Sequence, residues 1–270
     1  HRVGLRYEAS VGGGIPLIAP FLQDLVANDI LAIHAIVNGT TNYILTRMAH
    51  DNLDFSLALK QAQQLGYAEA NPSNDIEGLD AAYKLAILAT IAFGIDVKLE
   101  NIYYEGISKL EARDFRYARE LGYAIKLLAI AKRSGKGIEA RVHPVFISED
   151  ALLAKVNGVY NAIDVDGDLV GKIIFYGQGA GPSPTSSAVV ADVINIAQSI
   201  VKGVECIPKL SVGGKQAIKP MADIETRYYV RMNVIDQAGV LAKISKILGD
   251  KSISIASVIQ KESDPSKKSA

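Results

Sequence analysis

The stretch GYAEANPSNDIEGLDAAYKLAILATIAF, residues 66–93, joins a loop rich in carboxylates to a helix that is apolar on all sides. Lys84 follows Asp80 by four residues, so the two side chains share one helix face. Residues 85–95 contain no charge. Because a helix that is apolar all round is a buried helix, we predict that its charged end is carried into a domain interior or the floor of a cleft. The carboxylates are those of Glu69, Asp75, Glu77 and Asp80.

An Asp–Lys pair at this spacing is more often a solvated salt bridge at the surface, which contributes little to stability. The apolar remainder of the helix argues against that interpretation here. A lysine held beside a carboxylate in the interior suits proton transfer to or from a reacting oxygen near neutral pH. The carboxylates outnumber the lysine, which leaves acceptors for a cationic group such as an ammonium. The residues alone therefore indicate a site for a small zwitterionic substrate.

Length and composition exclude several classes of protein. The 270 residues are enough for one large domain or two, and the 29 basic side chains balance the 29 acidic ones. Without a net positive field, nucleic acid and anionic membranes are not expected partners. The single cysteine, Cys206, excludes an intramolecular disulfide and suits a reducing compartment. With no signal peptide and no membrane-spanning run, we expect a cytoplasmic protein.

The order of predicted elements favours an α+β fold with a mostly antiparallel mixed sheet covered by helices. Closely spaced strands without long helices between them are typical of antiparallel pairing. The predicted helices are residues 16–28, 41–50, 55–65, 77–93 and 184–201. The predicted strands, besides a short extended piece at 7–11, are residues 30–37, 102–107, 123–133, 138–147, 159–165 and 169–175.

Three segments are predicted from these patterns and from loss of periodicity. Residues 1–205 form the main domain, and residues 206–226, rich in Gly, Lys and Pro, form a linker. Residues 227–270 follow as strand, helix and strand. The turn DQAGVL at 236–241 resembles that of ACT regulatory domains, so this part is predicted to be a partial ferredoxin-like ACT segment, with residues 261–270 as a frayed end.

The main domain resembles the homoserine dehydrogenase family. Residues 66–84 match every fixed position of its substrate signature, G-[YF]-[AT]-E-x-[DN]-P-x-x-D-[IVL]-x-G-x-D-x-x-x-K. Three further segments match in family order: YEASVGGGIPLI at 7–18, AIVNGTTNYIL at 35–45 and YGQGAGPSPTSSAVVADVI at 176–194. The matches extend over about 200 residues.

The resemblance implies reversible hydride transfer between NAD(P)H and aspartate 4-semialdehyde, giving homoserine. Lys84, as an ammonium, would protonate or stabilise the alkoxide, and Asp80 would orient Lys84 or bind the substrate hydroxyl with it. Glu69 would take the substrate ammonium. Asp75 would position the hydroxyl end, and Tyr67 would frame the pocket.

The resemblance also implies a cofactor site and a cation site. Gly39, Thr40 and Gly179 would lie against the nicotinamide end of NAD(P). By itself the loop GQGAG, residues 177–181, lacks the G-x-G-x-x-G spacing of a phosphate cradle. The triple glycine at 12–14 is by itself equally typical of a tight strand-to-helix connection. The family suggests a monovalent cation, sodium or potassium, held by the Glu8 carboxylate and the carbonyls of Val11, Gly13 and Ile15.

Members of this family carry an amino-terminal Rossmann domain, whose G-x-G-x-x-G motif is not in this sequence. We therefore expect either a piece of the complete enzyme, the preferred interpretation, or a partner-dependent subunit, and no activity from the chain alone. A homodimer is expected, because strands 123–133 and 169–175 are long and apolar and the family dimerises through this domain. An amino-acid effector at the ACT segment is a further expectation.

The sequence can be compared with two other functions. Aspartate-semialdehyde dehydrogenase would need a nucleophilic cysteine in its catalytic domain, but Cys206 lies in the linker-like VECIPK. A non-catalytic module for amino-acid sensing or dimerisation is favoured by the ACT-like segment and the missing cofactor domain. A measurement of NAD(P)H binding would distinguish this module from the dehydrogenase, because the module should not bind the cofactor.

Overall fold

A six-stranded mixed sheet forms the centre of the molecule in the computed structural model, which describes residues 4–204, 212–214, 216–235 and 237–260. The strand order is β2-β4-β3-β1-β5-β6. Every pair is antiparallel except β2 with β4, which is parallel. This confirms the predicted α+β class. The strands are β1 Ile30–Ile36, β2 Tyr103–Tyr104, β3 Tyr123–Ser134, β4 Gly137–Ser148, β5 Tyr160–Gly167 and β6 Gly171–Gln178.

Helices within residues 1–225 cover one face of this sheet. Because side chains alternate along a strand, Ile33 and Ala35 of β1 point into the main core, and Ile36 belongs to a smaller cluster on the opposite face. The helices are α1 Ile18–Gln23, α2 Gly39–Asp51, α3 Phe55–Gln64, α4 Ser73–Ile76, α5 Leu79–Phe93, α6 Ala112–Glu120, α7 Pro182–Lys202 and α8 Val240–Asp250.

The long apolar helix is buried, as the sequence predicted. Of its residues, Ala81, Ala82, Leu85, Leu88, Ala89, Ile91 and Phe93 are buried. It begins at Leu79 rather than at residue 77, because Gly78 has a φ of 84°, a left-handed conformation that interrupts the helix. A separate short helix, α4, therefore precedes it and carries Asp75.

Several local predictions were wrong. Residues 8–10 form a 3-10 helix rather than an extended piece. The strand predicted at 102–107 pairs only through Tyr103 and Tyr104. The helix predicted at 16–28 is only six residues long. Helix α6 was missed because it buries only Asp114, Phe115 and Ala118, so its apolar periodicity is weak.

The chain divides into two compact units, residues 1–225 and 226–270. Part of the predicted linker belongs to the first unit: Gly213 and Gly214 donate to the Gly94 carbonyl, and Ile218 forms a parallel bridge with Ile138. Cys206 lies outside the described residues.

In the second unit, α8 agrees with the predicted helix. The strands predicted on either side of it are not assigned among residues 226–235 and 237–260, since no strand of that unit pairs with them. Asp236 and residues 261–270 lie outside the described residues. The ACT assignment therefore stays a prediction. No helix in the described part of the chain combines the length and hydropathy that crossing a bilayer requires.

Candidate functional site

The charged end of α5 lies beside the carboxyl end of β1. Lys84 Nζ donates to Asp80 Oδ2 at 2.7 Å and to the carbonyl of Val37, just beyond β1, at 3.0 Å. The side chains of Lys84 and Asp80 are 21% and 30% exposed. The pair is thus neither a free surface bridge nor fully buried. Its ammonium is held by a carboxylate and a backbone carbonyl.

Asn38 joins the two carboxylates of the signature. Its amide nitrogen donates to Asp75 Oδ1 at 2.7 Å and to Asp80 Oδ2 at 2.8 Å. Its carbonyl oxygen accepts from the backbone N–H of Thr41 at 2.8 Å and so caps the first turn of α2. The structure therefore brings Asp75, Asp80 and Lys84 together around one buried amide.

The surroundings of the Asp75 carboxyl shift its pKa. Burial raises its pKa, and the negative charge of Asp80 raises it further. The hydrogen bond from Asn38, the positive charge of Lys84 and the nearby Thr40 hydroxyl act in the opposite direction, but the net change is upward. An acid with a raised pKa beside an ion pair is typical of functional sites.

Thr40 and Tyr67 lie at the rim of this site. The Thr40 hydroxyl donates to the Tyr67 carbonyl, which ties the loop after α3 to the start of α2. The Tyr67 ring lies 5.1 Å from that of Tyr43, centroid to centroid, and the residue is 43% exposed. Its position leaves the ring open to a ligand.

Glu69 lies two residues beyond Tyr67 and is exposed. Only its backbone carbonyl is engaged, by the amide of Gln63. No hydrogen bond or ion pair engages its carboxylate within the described residues. The structure therefore leaves Glu69 available for a cationic ligand group, but it does not bring its carboxylate into contact with Asp75, Asp80 or Lys84.

The two glycine loops predicted from sequence pack against each other. Gly14 N–H donates to the Gln178 carbonyl at 3.2 Å. A Cβ at Gly13 would lie 2.3 Å from the Gly179 carbonyl oxygen, and one at Gly179 would lie 1.8 Å from the Asn161 amide nitrogen. Gly39 is packed in the same way against the carbonyl of Val159. Close packing within the chain thus requires these glycines, whatever ligand approaches them.

Glu8 is buried and caps α1. Its carboxylate accepts from the backbone N–H groups of Leu17 at 2.5 Å, Ile18 at 2.8 Å and Ala19 at 2.8 Å. A carboxylate offers about four lone-pair sites, so one remains for any further ligand. The described residues contain no cluster of three or more His, Cys, Asp or Glu side chains that could hold a metal. The predicted cation site has a different composition, one carboxylate and three backbone carbonyls, and it stays a prediction.

Comparison with known proteins identifies the family of this chain. The profile of the homoserine dehydrogenase family matches residues 16–194. A homoserine dehydrogenase from Helicobacter pylori is 51% identical over 259 residues, covering 95% of this chain and 60% of the relative. The chain belongs to the homoserine dehydrogenase family.

Solved structures of this family show the same fold. A homoserine dehydrogenase from Thiobacillus denitrificans superposes with a TM-score of 0.85 at 45% identity, covering 94% of this chain and 60% of that one. A hyperthermophilic archaeal homoserine dehydrogenase, in complex with NADPH, superposes with a TM-score of 0.63 at 31% identity, covering 73% and 56%. This chain thus spans about 60% of the length of the curated homoserine dehydrogenases it matches.

Asn38 is the site residue that sequence reasoning missed. In the sequence it reads as a helix-capping residue in the segment AIVNGTTNYIL, and that signal was available. Its link to the substrate signature of the homoserine dehydrogenase family was not, because Asp75 and Asp80 lie 37 and 42 residues away along the chain. Only the packing of α2 against α4 and α5 brings them together.

Proposed function

We propose that this chain forms the substrate-binding and catalytic region of a homoserine dehydrogenase, which interconverts L-homoserine and L-aspartate 4-semialdehyde with NAD(P) in the biosynthesis of threonine, methionine and isoleucine. The observation that carries the proposal is the Lys84–Asp80 ion pair, held at the open end of a buried helix within the family's signature. A cytoplasmic location remains the expectation from composition.

Lys84 supplies the proton chemistry in this proposal. During reduction, negative charge develops on the aldehyde oxygen as the carbonyl carbon is reduced. The ammonium of Lys84 donates a proton to that oxygen, which becomes the hydroxyl of homoserine. Asp80 and the Val37 carbonyl hold the ammonium in place through hydrogen bonds of 2.7 and 3.0 Å. In the oxidation direction, Lys84 takes the hydroxyl proton back.

The remaining residues would bind and orient the amino acid. Glu69, whose carboxylate has no partner within the described residues, takes the substrate ammonium through a charge-assisted hydrogen bond. Asp75 positions the hydroxyl end from the other side of Asn38, and Tyr67 frames the opening with its exposed ring.

NAD(P) supplies or accepts the hydride when bound. A structural neighbour binds NADPH, which supports this class of cofactor for the present chain. Thr40, Gly39 and Gly179 would face its nicotinamide end, and Thr40 lies at the first turn of a 13-residue helix, next to the site. Since the sequence has no G-x-G-x-x-G motif, we propose that the chain alone shows no homoserine-dependent cofactor reduction. Measured turnover by residues 1–270 would contradict that part of the proposal.

The function is tested by the substitution Lys84→Ala in a full-length enzyme, one as long as the relatives. Loss of a positioned acid should lower kcat by roughly 100-fold or more. Steady-state kinetics with homoserine and each cofactor measure this, and circular dichroism checks the fold. Turnover near that of the unmodified enzyme would exclude Lys84 as the proton donor.

Association of two copies is a further part of the proposal. On the sheet face opposite the main core, Tyr160 and Tyr176 are exposed near the β6 edge, and their rings stack at 5.2 Å between centroids. Exposed tyrosines are typical of interfaces. We propose that two copies associate through this face. A monomer in sedimentation velocity would contradict this proposal.

We also propose that an amino-acid effector binds at residues 227–270. Absence of effector binding in calorimetry would contradict that proposal.

A further inference from the structure

Asn38 occupies an unusual electrostatic position. Its two amide protons point to two different carboxylates, Asp75 Oδ1 at 2.7 Å and Asp80 Oδ2 at 2.8 Å. Two carboxylates that share a site repel each other, and one of them tends to stay protonated. A neutral NH₂ group with one proton for each carboxylate offsets that repulsion without adding a charge.

The orientation of the Asn38 amide is fixed by its other end. The carbonyl oxygen accepts from Thr41 N–H at 2.8 Å, as the cap of α2. An amide flipped by 180° would point its NH₂ group at that N–H and its oxygen at the two carboxylates, so that donor would face donor and acceptor would face acceptor. The helix cap therefore determines that donors face Asp75 and Asp80.

Lys84 depends on the same arrangement. Asp80 Oδ2 accepts from both Asn38 and Lys84, at 2.8 and 2.7 Å. The ammonium is thus held by a carboxylate oxygen whose position Asn38 also fixes. The second asparagine of α2, Asn42, makes a useful contrast: it is also buried, but its amide donates only to the backbone carbonyls of Val156, Gly158 and Tyr160.

We propose that Asn38 is a positioning residue, which holds the carboxylates of Asp75 and Asp80 side by side and thereby holds Lys84 where it transfers the proton. This inference rests on the proposed homoserine dehydrogenase function. The charged and polar groups that face Asp75 from the neighbouring helices are Asp80 and Lys84 of α5 and Asn38 and Thr40 at α2. Of these, Asn38 is the group that contacts both carboxylates.

The decisive variants are Asn38→Ser and Asn38→Asp, because Ser and Asp cap helices about as well as Asn. Ser is too short to reach the carboxylates, and Asp replaces the donor with a third carboxylate. In the full-length enzyme, we expect kcat/KM for homoserine to fall about 10- to 100-fold, the scale of a hydrogen bond to a charged group. The acid limb of its pH profile should move to higher pH.

A second readout does not depend on activity. The Asp75 carboxyl is titrated by carbon-13 NMR in the unmodified chain and in each variant, without substrate or cofactor. Loss of the Asn38 donor should raise the pKa of Asp75, because one of the hydrogen bonds that favour its ionised form is removed. Asn42→Ser is the matched control, and it should lower thermal stability while leaving the Asp75 titration unchanged.

The outcomes separate this inference from the function itself. An Asp75 titration that is the same in Asn38→Ser and Asn38→Asp as in the unmodified chain would overturn the inference. So would an equal shift in Asn42→Ser, since the effect would then come from loosening of α2. If Lys84→Ala retains turnover while the titration moves as expected, the proposed function fails and the electrostatic role of Asn38 stands.

Discussion

Helices α5 and α7 are both long and rich in apolar residues, but only α5 is buried by the described part of the chain. Seven of its 15 residues are buried, and it packs against α1 and the strands β1, β3 and β4. In α7, only Ala188 is buried among 21 residues. Val201 is 86% exposed and Val193 is 60% exposed. The exposed apolar residues of α7 are Val189, Val190, Val193, Ile194, Ile200 and Val201.

The difference shows that apolar composition predicts burial only where the chain supplies a partner. Helix α5 carries alanines that allow close packing and places its only charges, Asp80 and Lys84, at its first turns. Helix α7 contacts residues 8–10 near its middle, where Asp192 accepts from Glu8 N–H at 2.9 Å, and its first turn packs against Gly14 through Pro184. A contiguous exposed apolar surface of this kind is typical of an interaction site.

The sharpest test of this comparison is Leu88→Ala in α5. Leu88 is fully buried, so its truncation leaves a cavity and should lower the free energy of unfolding by about 2–5 kcal/mol. Urea denaturation followed by circular dichroism measures this. A cost below about 1 kcal/mol would mean that the centre of α5 is not the tightly packed core described here.

Sequence reasoning located α5, the carboxylate loop and most strands because their signals are local. Four-residue spacing paired Asp80 with Lys84, and the strands of the β3–β4 hairpin were found within a few residues of their ends. It failed where the cause lies elsewhere in the chain. Asn38 meets Asp75 only through tertiary packing, and the strands predicted around α8 depend on a pairing partner that no local pattern reveals.

A smaller effect on the free energy of unfolding is expected at Lys126 on β3. This residue is a buried charge and can be compared with the buried apolar side chains. Its ammonium donates to the Val156 carbonyl and to the side-chain oxygens of Asn157, at 3.1 Å, and Asn42, at 3.4 Å. Burial lowers the pKa of Lys126 from 10.5 to about 8. The side chain therefore remains mostly protonated at neutral pH, and its three acceptors stabilise that form.

The sign of the resulting pH dependence follows from proton binding. Between pH 8 and 10.5 the unfolded lysine holds its proton and the folded one loses it, so stability gains a favourable contribution as pH rises through this window. Relative to Lys126→Met, the free energy of unfolding of the unmodified chain should rise by up to about 3 kcal/mol across it. Parallel urea titrations of both proteins measure the difference. A difference that does not vary with pH would show that Lys126 keeps an ordinary pKa.

The smallest effect is expected from Val193→Ser in α7. Because Val193 is 60% exposed, replacing its methyl groups removes little buried area, and the free energy of unfolding should change by less than about 0.5 kcal/mol. Urea denaturation at several protein concentrations distinguishes an exposed α7 from one that a second copy covers. A small loss in the free energy of unfolding at every concentration would show that α7 is uncovered in the isolated chain. A cost above about 1 kcal/mol that grows with concentration would show that a second copy covers α7, because stability gained by association depends on protomer concentration. Both helices would then be buried, α5 by its own chain and α7 by a second copy.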